Sequence, residues 1–173
     1  MISLVDVLQL RVSDVGSAPK VGSRVLTILE CGKIIRELDK CRAPKAVTNA
    51  IKACLLTGAY IRNIKIQTGW FWPWVDGLDL PINNSKTNLS IRRPISPALF
   101  DILQEQWNLY HSPWSFPAAN DLKRSGNIAS VNKLVREVKL RLEIPDWRIQ
   151  DFRRTLSTRM LEAGVLPMWQ RRC

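Results

Sequence analysis

The sequence predicts an α+β domain, mainly helical with a small antiparallel β-sheet. Three observations carry that expectation. Apolar residues recur at helical spacing on both sides of the chain's middle, most clearly at Val131, Leu134, Val135, Val138 and Leu142. Between those blocks, from Ile61 to Ile95, apolar and polar residues alternate as they do in short strands. The resulting order of helices, sheet and helices is not the βαβ alternation of a parallel sheet.

The elements follow in order. Leu4 to Val12 reads equally as a helix or an extended piece, and Gly16 to Gly22 reads as a loop. A helix is expected after Thr27, a suitable N-cap with Glu30 three residues on, and it places Ile34, Ile35 and Leu38 on one face. Arg42-Ala43-Pro44 interrupts it, and Pro44 suits the first turn of the next helix. That helix carries Val47, Ile51, Cys54 and Leu55 and stops near Gly58. Ile64, Ile66, Leu78, Leu80, Ile82, Leu89 and Ile91 are the strand-like positions, with Asn83, Asn84 and Asn88 as turn residues. Trp70-Phe71-Trp72-Pro73-Trp74 is an aromatic cluster whose proline disfavours a central strand; hydrophobic packing is the simplest use for it. Leu99 to Tyr110 is expected to be helical, with Leu99, Ile102, Leu103 and Trp107 aligned. His111 to Gly126 reads as loop. A strongly amphipathic helix covers Ser130 to Leu142, with Lys133, Arg136, Lys139 and Arg141 off its apolar stripe and Pro145 after it. The last helix runs from Asp151 to Ala163, with Phe152, Leu156 and Met160 on one face and Gly164 as its stop.

Composition narrows the function. The 173 residues suffice for one domain with a packed core, at 46% hydrophobic and 24% charged. No apolar run reaches the roughly 18 residues of a membrane span, and Met1 to Leu10 lacks the basic start and cleavage site of a secretory signal. The formal net charge of +11 suits a polyanion partner. It is uneven: Asp121 to Cys173 holds 12 basic and 6 acidic residues and supplies +6 of the total. Cys31, Cys41, Cys54 and Cys173 form no CxxC pair, and His111 is the only histidine, so neither a zinc site nor any other cofactor is expected. Reduced thiols and a cytoplasmic location are the default reading.

Three segments, in order, carry a resemblance. Leu55-Leu56-Thr57-Gly58-Ala59 closes a helix. Ser85-Lys86-Thr87 is followed by Arg92-Arg93-Pro94-Ile95-Ser96. Asp151-Phe152-Arg153-Arg154-Thr155-Leu156-Ser157-Thr158-Arg159 leads on through Met160 to Gly164. They resemble, respectively, the LLTGxR box, the hairpin lysine with its R-x-V-P-L-S strand, and the H-D-L-R-R-T-x-A-T box of phage integrases, the tyrosine recombinases. The resemblance covers residues 27–173, which implies a truncated integrase-like catalytic domain. It implies that residues 1–26 are a linker or the remnant of an N-terminal DNA-clamping domain.

The family's chemistry is attack of a tyrosine on a DNA phosphodiester. Arginine forks hold the non-bridging oxygens, and a lysine protonates the leaving oxygen. By that resemblance Lys86 and Arg153 retain family catalytic positions. Tyr60 stands where the first arginine belongs, and Gln150 where a histidine belongs. Asn63 replaces an acidic residue, and Arg62 would face another way from the arginine position. The family's next histidine and its tyrosine would fall past Cys173. Tyr60 to Val75 matches nothing in the family. A reading-frame disturbance in a decaying prophage gene would explain that stretch, and the coding DNA of an intact relative checks it. The expected contacts with double-stranded DNA are Lys86, Arg92, Arg93, Arg153 and Arg154. A solvated helix face, or ion pairs with Asp151 or Glu162, is the plain alternative for the last two.

The leading expectation is a DNA-binding member of the site-specific recombinase family, associated with DNA integration and recombination but catalytically incomplete. The alternatives are an enzyme active only with groups from other integrase protomers, and a basic helical interaction protein without a recombinase role. Neither a membrane nor a small-molecule cofactor is expected as a partner.

Overall fold

The computed structural model describes residues 24–61, 64, 95–118, 131–144 and 146–165, together with the backbone of 71–72, 77–80 and 91–94. The features expected before residue 24, and Arg62, Asn63, Ile66, Ile82, the turn region 83–89 with Lys86, and Pro145 lie outside the described residues.

Among the described residues five helices and three strands follow the expected order: α1 (Ile28–Lys40), α2 (Lys45–Thr57), β1 (Phe71–Trp72), β2 (Gly77–Leu80), β3 (Ile91–Pro94), α3 (Pro97–Tyr110), α4 (Asn132–Leu142) and α5 (Ile149–Glu162). The strands pair antiparallel in the order β1-β2-β3, with Leu78 opposite Phe71 on one side and Arg93 on the other. The aromatic cluster thus contributes an edge strand, where a neighbouring proline does least harm. Leu78, Leu80 and Ile91 lie in strands as expected. Ile64 does not. It is buried in a turn whose Ile64 N–H donates to the Tyr60 carbonyl.

Helix α2 sits at the centre, packed against α1, α3 and α5, while α4 packs on α1. Its composition suits that place. Ala46, Ala50, Ala53 and Cys54 are small and fully buried, so neighbouring helices approach closely on several sides. Burial pushes the Cys54 thiol up to about 12. Pro44 is the N-cap residue of α2 and not part of its first turn. It offers no side-chain acceptor, and the Tyr110 hydroxyl accepts the Ala46 N–H instead, at 3.3 Å. Asn49, 1% exposed, donates to Glu105 of α3 at 2.7 Å.

Helix α1 starts with a complete capping box. The Thr27 hydroxyl accepts the Glu30 N–H at 3.1 Å, and the Glu30 carboxylate accepts the Thr27 N–H at 2.8 Å. The backbone hydrogen bond from Thr27, ahead of the opposing effect of burial, holds the Glu30 carboxyl below its ordinary 4.5. A carboxylate stabilised this way contributes fully above 4.5 and loses its contribution as pH falls through the lowered value. Glu30→Ala is therefore expected to cost roughly 1 kcal/mol at neutral pH. The gap to wild type should close as pH drops below 4.5, as read by urea midpoints across the acid range.

Two further expectations need correction. Helix α3 begins at Pro97, with Ser96 as N-cap accepting the Leu99 N–H, and it buries Leu99, Leu103 and Gln106. Trp107, expected on the buried stripe, is 46% exposed. The helix is rotated by one residue from the most apolar alignment, because α2 meets its Leu99–Leu103–Gln106 line. Helix α5 begins two residues earlier than expected, at Ile149. The buried Asp151 carboxylate accepts the Arg148 N–H at 2.8 Å and so closes the first turn.

Candidate functional site

The site is built where α2 ends against α5. Gly58 is the C-cap of α2 at φ 61, and its N–H donates to the Cys54 carbonyl at 2.9 Å. A Cβ at that position would come within 3.1 Å of Leu156 Cδ2 and 3.3 Å of Arg153 Cα, so the chain and α5 are in close contact there. The Thr57 hydroxyl braces the exit by donating to the Ala53 carbonyl and accepting the Ala59 N–H. These bonds fix the direction in which Ala59 and Tyr60 leave the helix.

Arg153 faces this exit. Its guanidinium donates a long 3.4 Å hydrogen bond to the Gly58 carbonyl and lies 5.5 Å from the centre of the Tyr60 ring. Position 60, where the resemblance places the first arginine, and position 153, where it places the second, are thus neighbours in space. Gln150, exposed in the first turn of α5, lines the same cleft as Tyr60.

That cleft has a volume of about 690 Å³. Tyr60, Ile61, Val131, Val135 and Ile149 form an apolar wall. Asn132, Arg136, Lys139, Arg148 and Gln150 form the polar part, and among the described residues no carboxylate lines it. Among the described residues no acidic side chain pairs with Arg136, Lys139 or Arg148. Lys139 Nζ stands 5.6 Å from the Trp147 ring centre, and Trp147 stacks on Phe152 of α5 at 5.3 Å. This buried aromatic pair ties the Lys139 side of the cleft to the helix that bears Arg153.

The other expected residues divide. Arg154 forms an ion pair with Asp151 at 3.1 Å, one of its two anticipated plain alternatives. Arg92 and Arg93 are described only as backbone positions of β3, and Lys86 lies outside the described residues. Sequence reasoning missed Arg136, Lys139 and Arg148. A usable signal existed for Arg148, which stands two residues before the Gln150 position of the third box. Arg136 and Lys139 carried no signal beyond their i, i+3 spacing, which puts them on one side of α4.

Among the described residues no cluster of His, Cys, Asp and Glu could hold a metal ion, and no helix is long and apolar enough to cross a membrane. Cys31, Cys41 and Cys54 are unpaired thiols.

No protein-family model and no curated protein matches the sequence. The fold does match solved structures. The XerA recombinase superposes with a TM-score of 0.69 at 14% identity, over 95% of this chain and 59% of that one. The Tn1549 transposon integrase, solved in complex with circular intermediate DNA, gives 0.65 at 13% identity, over 95% of this chain and 61% of that one. The lambda integrase, solved as a tetramer bound to a Holliday junction, gives 0.65 at 15% identity, over 99% of this chain and 51% of that one. The chain therefore has the tyrosine recombinase catalytic-domain fold and spans between about half and three fifths of the length of these proteins.

Proposed function

We propose that the chain binds double-stranded DNA through the Arg153 face, in a recombination or integration role, and does not itself cleave the strand. The single observation that carries this reading is that Arg153 lies against Tyr60, which lines one cleft together with Gln150, so that positions 60, 150 and 153 are linked in space and one of the three is still an arginine. The fold likeness and the net charge of +11 support the DNA part. The substitutions support the inactivity. At position 60 an aromatic ring packs against the remaining arginine where a second guanidinium would have stabilised the growing charge. At position 150 an amide stands where an imidazole would have moved a proton. Tyr60 and Tyr110 are the only tyrosines in the sequence. The Tyr110 hydroxyl caps α2, which leaves it poorly placed for a nucleophile's part. On this reading residues 27–173 form an integrase-like domain that holds the DNA, residues 1–26 are a linker or the remnant of an N-terminal DNA-clamping domain, and the protein works in the cytoplasm.

The test is filter binding on duplex DNA across a salt series. Affinity should fall steeply and linearly on a log–log plot, and Arg153→Gln should weaken binding on every duplex sequence and lower the slope by about 1. A salt-insensitive or absent signal removes the DNA reading. Incubation with a nicked suicide duplex should leave no covalent protein–DNA adduct, and a clear adduct removes the inactivity reading.

A further inference from the structure

The lining of the cleft is more elaborate than a backbone-tracking surface requires, because apolar residues share it with the cations. Tyr60 and Ile61 leave α2, Val131 and Val135 come from the start of α4, and Ile149 opens α5. A sugar–phosphate backbone alone has no use for such a wall. A planar aromatic ring does, since base-on-aromatic and base-on-aliphatic contacts are sequence-tolerant and favourable. The amides of Asn132 and Gln150 offer both donors and acceptors to the edge of such a ring. Arg136 and Lys139 come from α4 and Arg148 from the turn before α5, and among the described residues no carboxylate lines the cleft with them. The volume of about 690 Å³ falls within the roughly 300–1,000 Å³ usual for small-ligand sites.

We propose that this cleft is a nucleotide site that takes one unpaired nucleotide of a DNA strand, with its base on the Tyr60–Val135 wall and its phosphate at Arg136 and Arg148. The inference rests on the duplex-binding reading only for the source of the nucleotide. The ligand chemistry itself, a flat base carrying a phosphate, is set by the cleft. A base that is already unpaired enters most readily, because a paired one must first be unstacked at a cost of a few kcal/mol.

The experiment uses the full chain and three probes at one salt concentration: a fully paired duplex, the same duplex with one bulged 2-aminopurine, and free 2-aminopurine deoxyriboside 5′-monophosphate. The bulged duplex is expected to bind about tenfold tighter than the paired one, with its fluorescence quenched by stacking. Val135→Trp fills the cleft and should abolish that difference. Arg136→Ala, at an exposed position, should shrink it, and this variant keeps the test open if the tryptophan variant does not fold. Equal affinity for the two duplexes with unquenched fluorescence overturns the nucleotide site and leaves the duplex reading standing. If neither duplex binds but the free nucleotide is quenched, the duplex reading falls and the site stands with a free nucleotide as its ligand. No binding of any probe overturns both.

Discussion

Trp147→Ala is expected to lower the stability of the fold by about 3–5 kcal/mol, the range for removing a fully buried large aromatic. Trp147 is 0% exposed, stacks on Phe152 at 5.3 Å with 21° between the ring planes, and carries the Lys139 ammonium above its face. Its removal leaves a cavity between the end of α4 and the start of α5, two helices whose small hydrophobic faces are poorly able to collapse into it. Against a total stability of about 5–15 kcal/mol, that loss is a large share of the whole. The effect should not stop at stability. Lys139 loses the ring that holds it, so the fraction that remains folded should also bind DNA less tightly. Trp147→Phe sharpens the test. It keeps a stacking ring and removes an indole N–H that meets no acceptor among the described residues. Its cost should be well under half that of alanine. Urea unfolding followed by circular dichroism checks both, and an unchanged midpoint for Trp147→Ala would sink the assignment of this ring as the α4–α5 anchor.

Gly58→Ala comes next in size, at about 2–5 kcal/mol. Two effects add. The left-handed conformation at φ 61 disfavours any Cβ by about 1–2 kcal/mol. The new methyl then meets Leu156 Cδ2 at 3.1 Å and Arg153 Cα at 3.3 Å. Leu156 can rotate away, but the Arg153 backbone cannot move without displacing α5, and overpacking of this kind costs about 1–3 kcal/mol. Gly58→Asn separates the two, since asparagine tolerates the left-handed region yet still brings a Cβ. It should recover part of the loss in stability and none of the loss in DNA affinity, because α5 is still pushed off α2. If alanine is neutral in a thermal melt, the close approach that sets Arg153 against the helix exit is not present in solution.

Much of this architecture can be read from the letters because local rules decide it. Thr27 and Glu30 announce a helix start through a motif four residues long, and both reciprocal hydrogen bonds form. Gly58 and Gly164 mark helix ends at positive φ for the same local reason. The stripe Val131, Leu134 and Val138 is buried as its spacing demands. What failed depended on neighbours. Gln106 is 1% exposed with neither polar atom of its amide paired among the described residues, while Trp107 next to it is half in solvent. No propensity ranks a glutamine above a tryptophan for burial. The choice was made by where α2 lies against α3. Ile64 looked like a strand residue because it alternates with polar neighbours, yet a turn buries it just as well.

The candidate site was legible to the same degree. Tyr60, Gln150 and Arg153 could be chosen from motif alignment alone, since each sits at a fixed offset inside a recognisable box. The cations Arg136 and Lys139 could not. They belong to a helix that carries no box, and their place in the cleft follows from packing between distant segments: α4 lies on α1, and Lys139 stands over the Trp147 ring, which stacks on Phe152.

The stretch before α1 is fastened to the far side of the same helix. The Leu26 N–H donates to the Thr155 hydroxyl at 2.9 Å, and the Leu26 carbonyl accepts from the Arg159 guanidinium at 3.1 Å. Both fasteners sit within two turns of Arg153, on one rigid rod. A pull on the backbone at Leu26 would therefore act on α5, the helix that carries Arg153, as well as on α1, which Arg24 holds through its ion pair with Glu30.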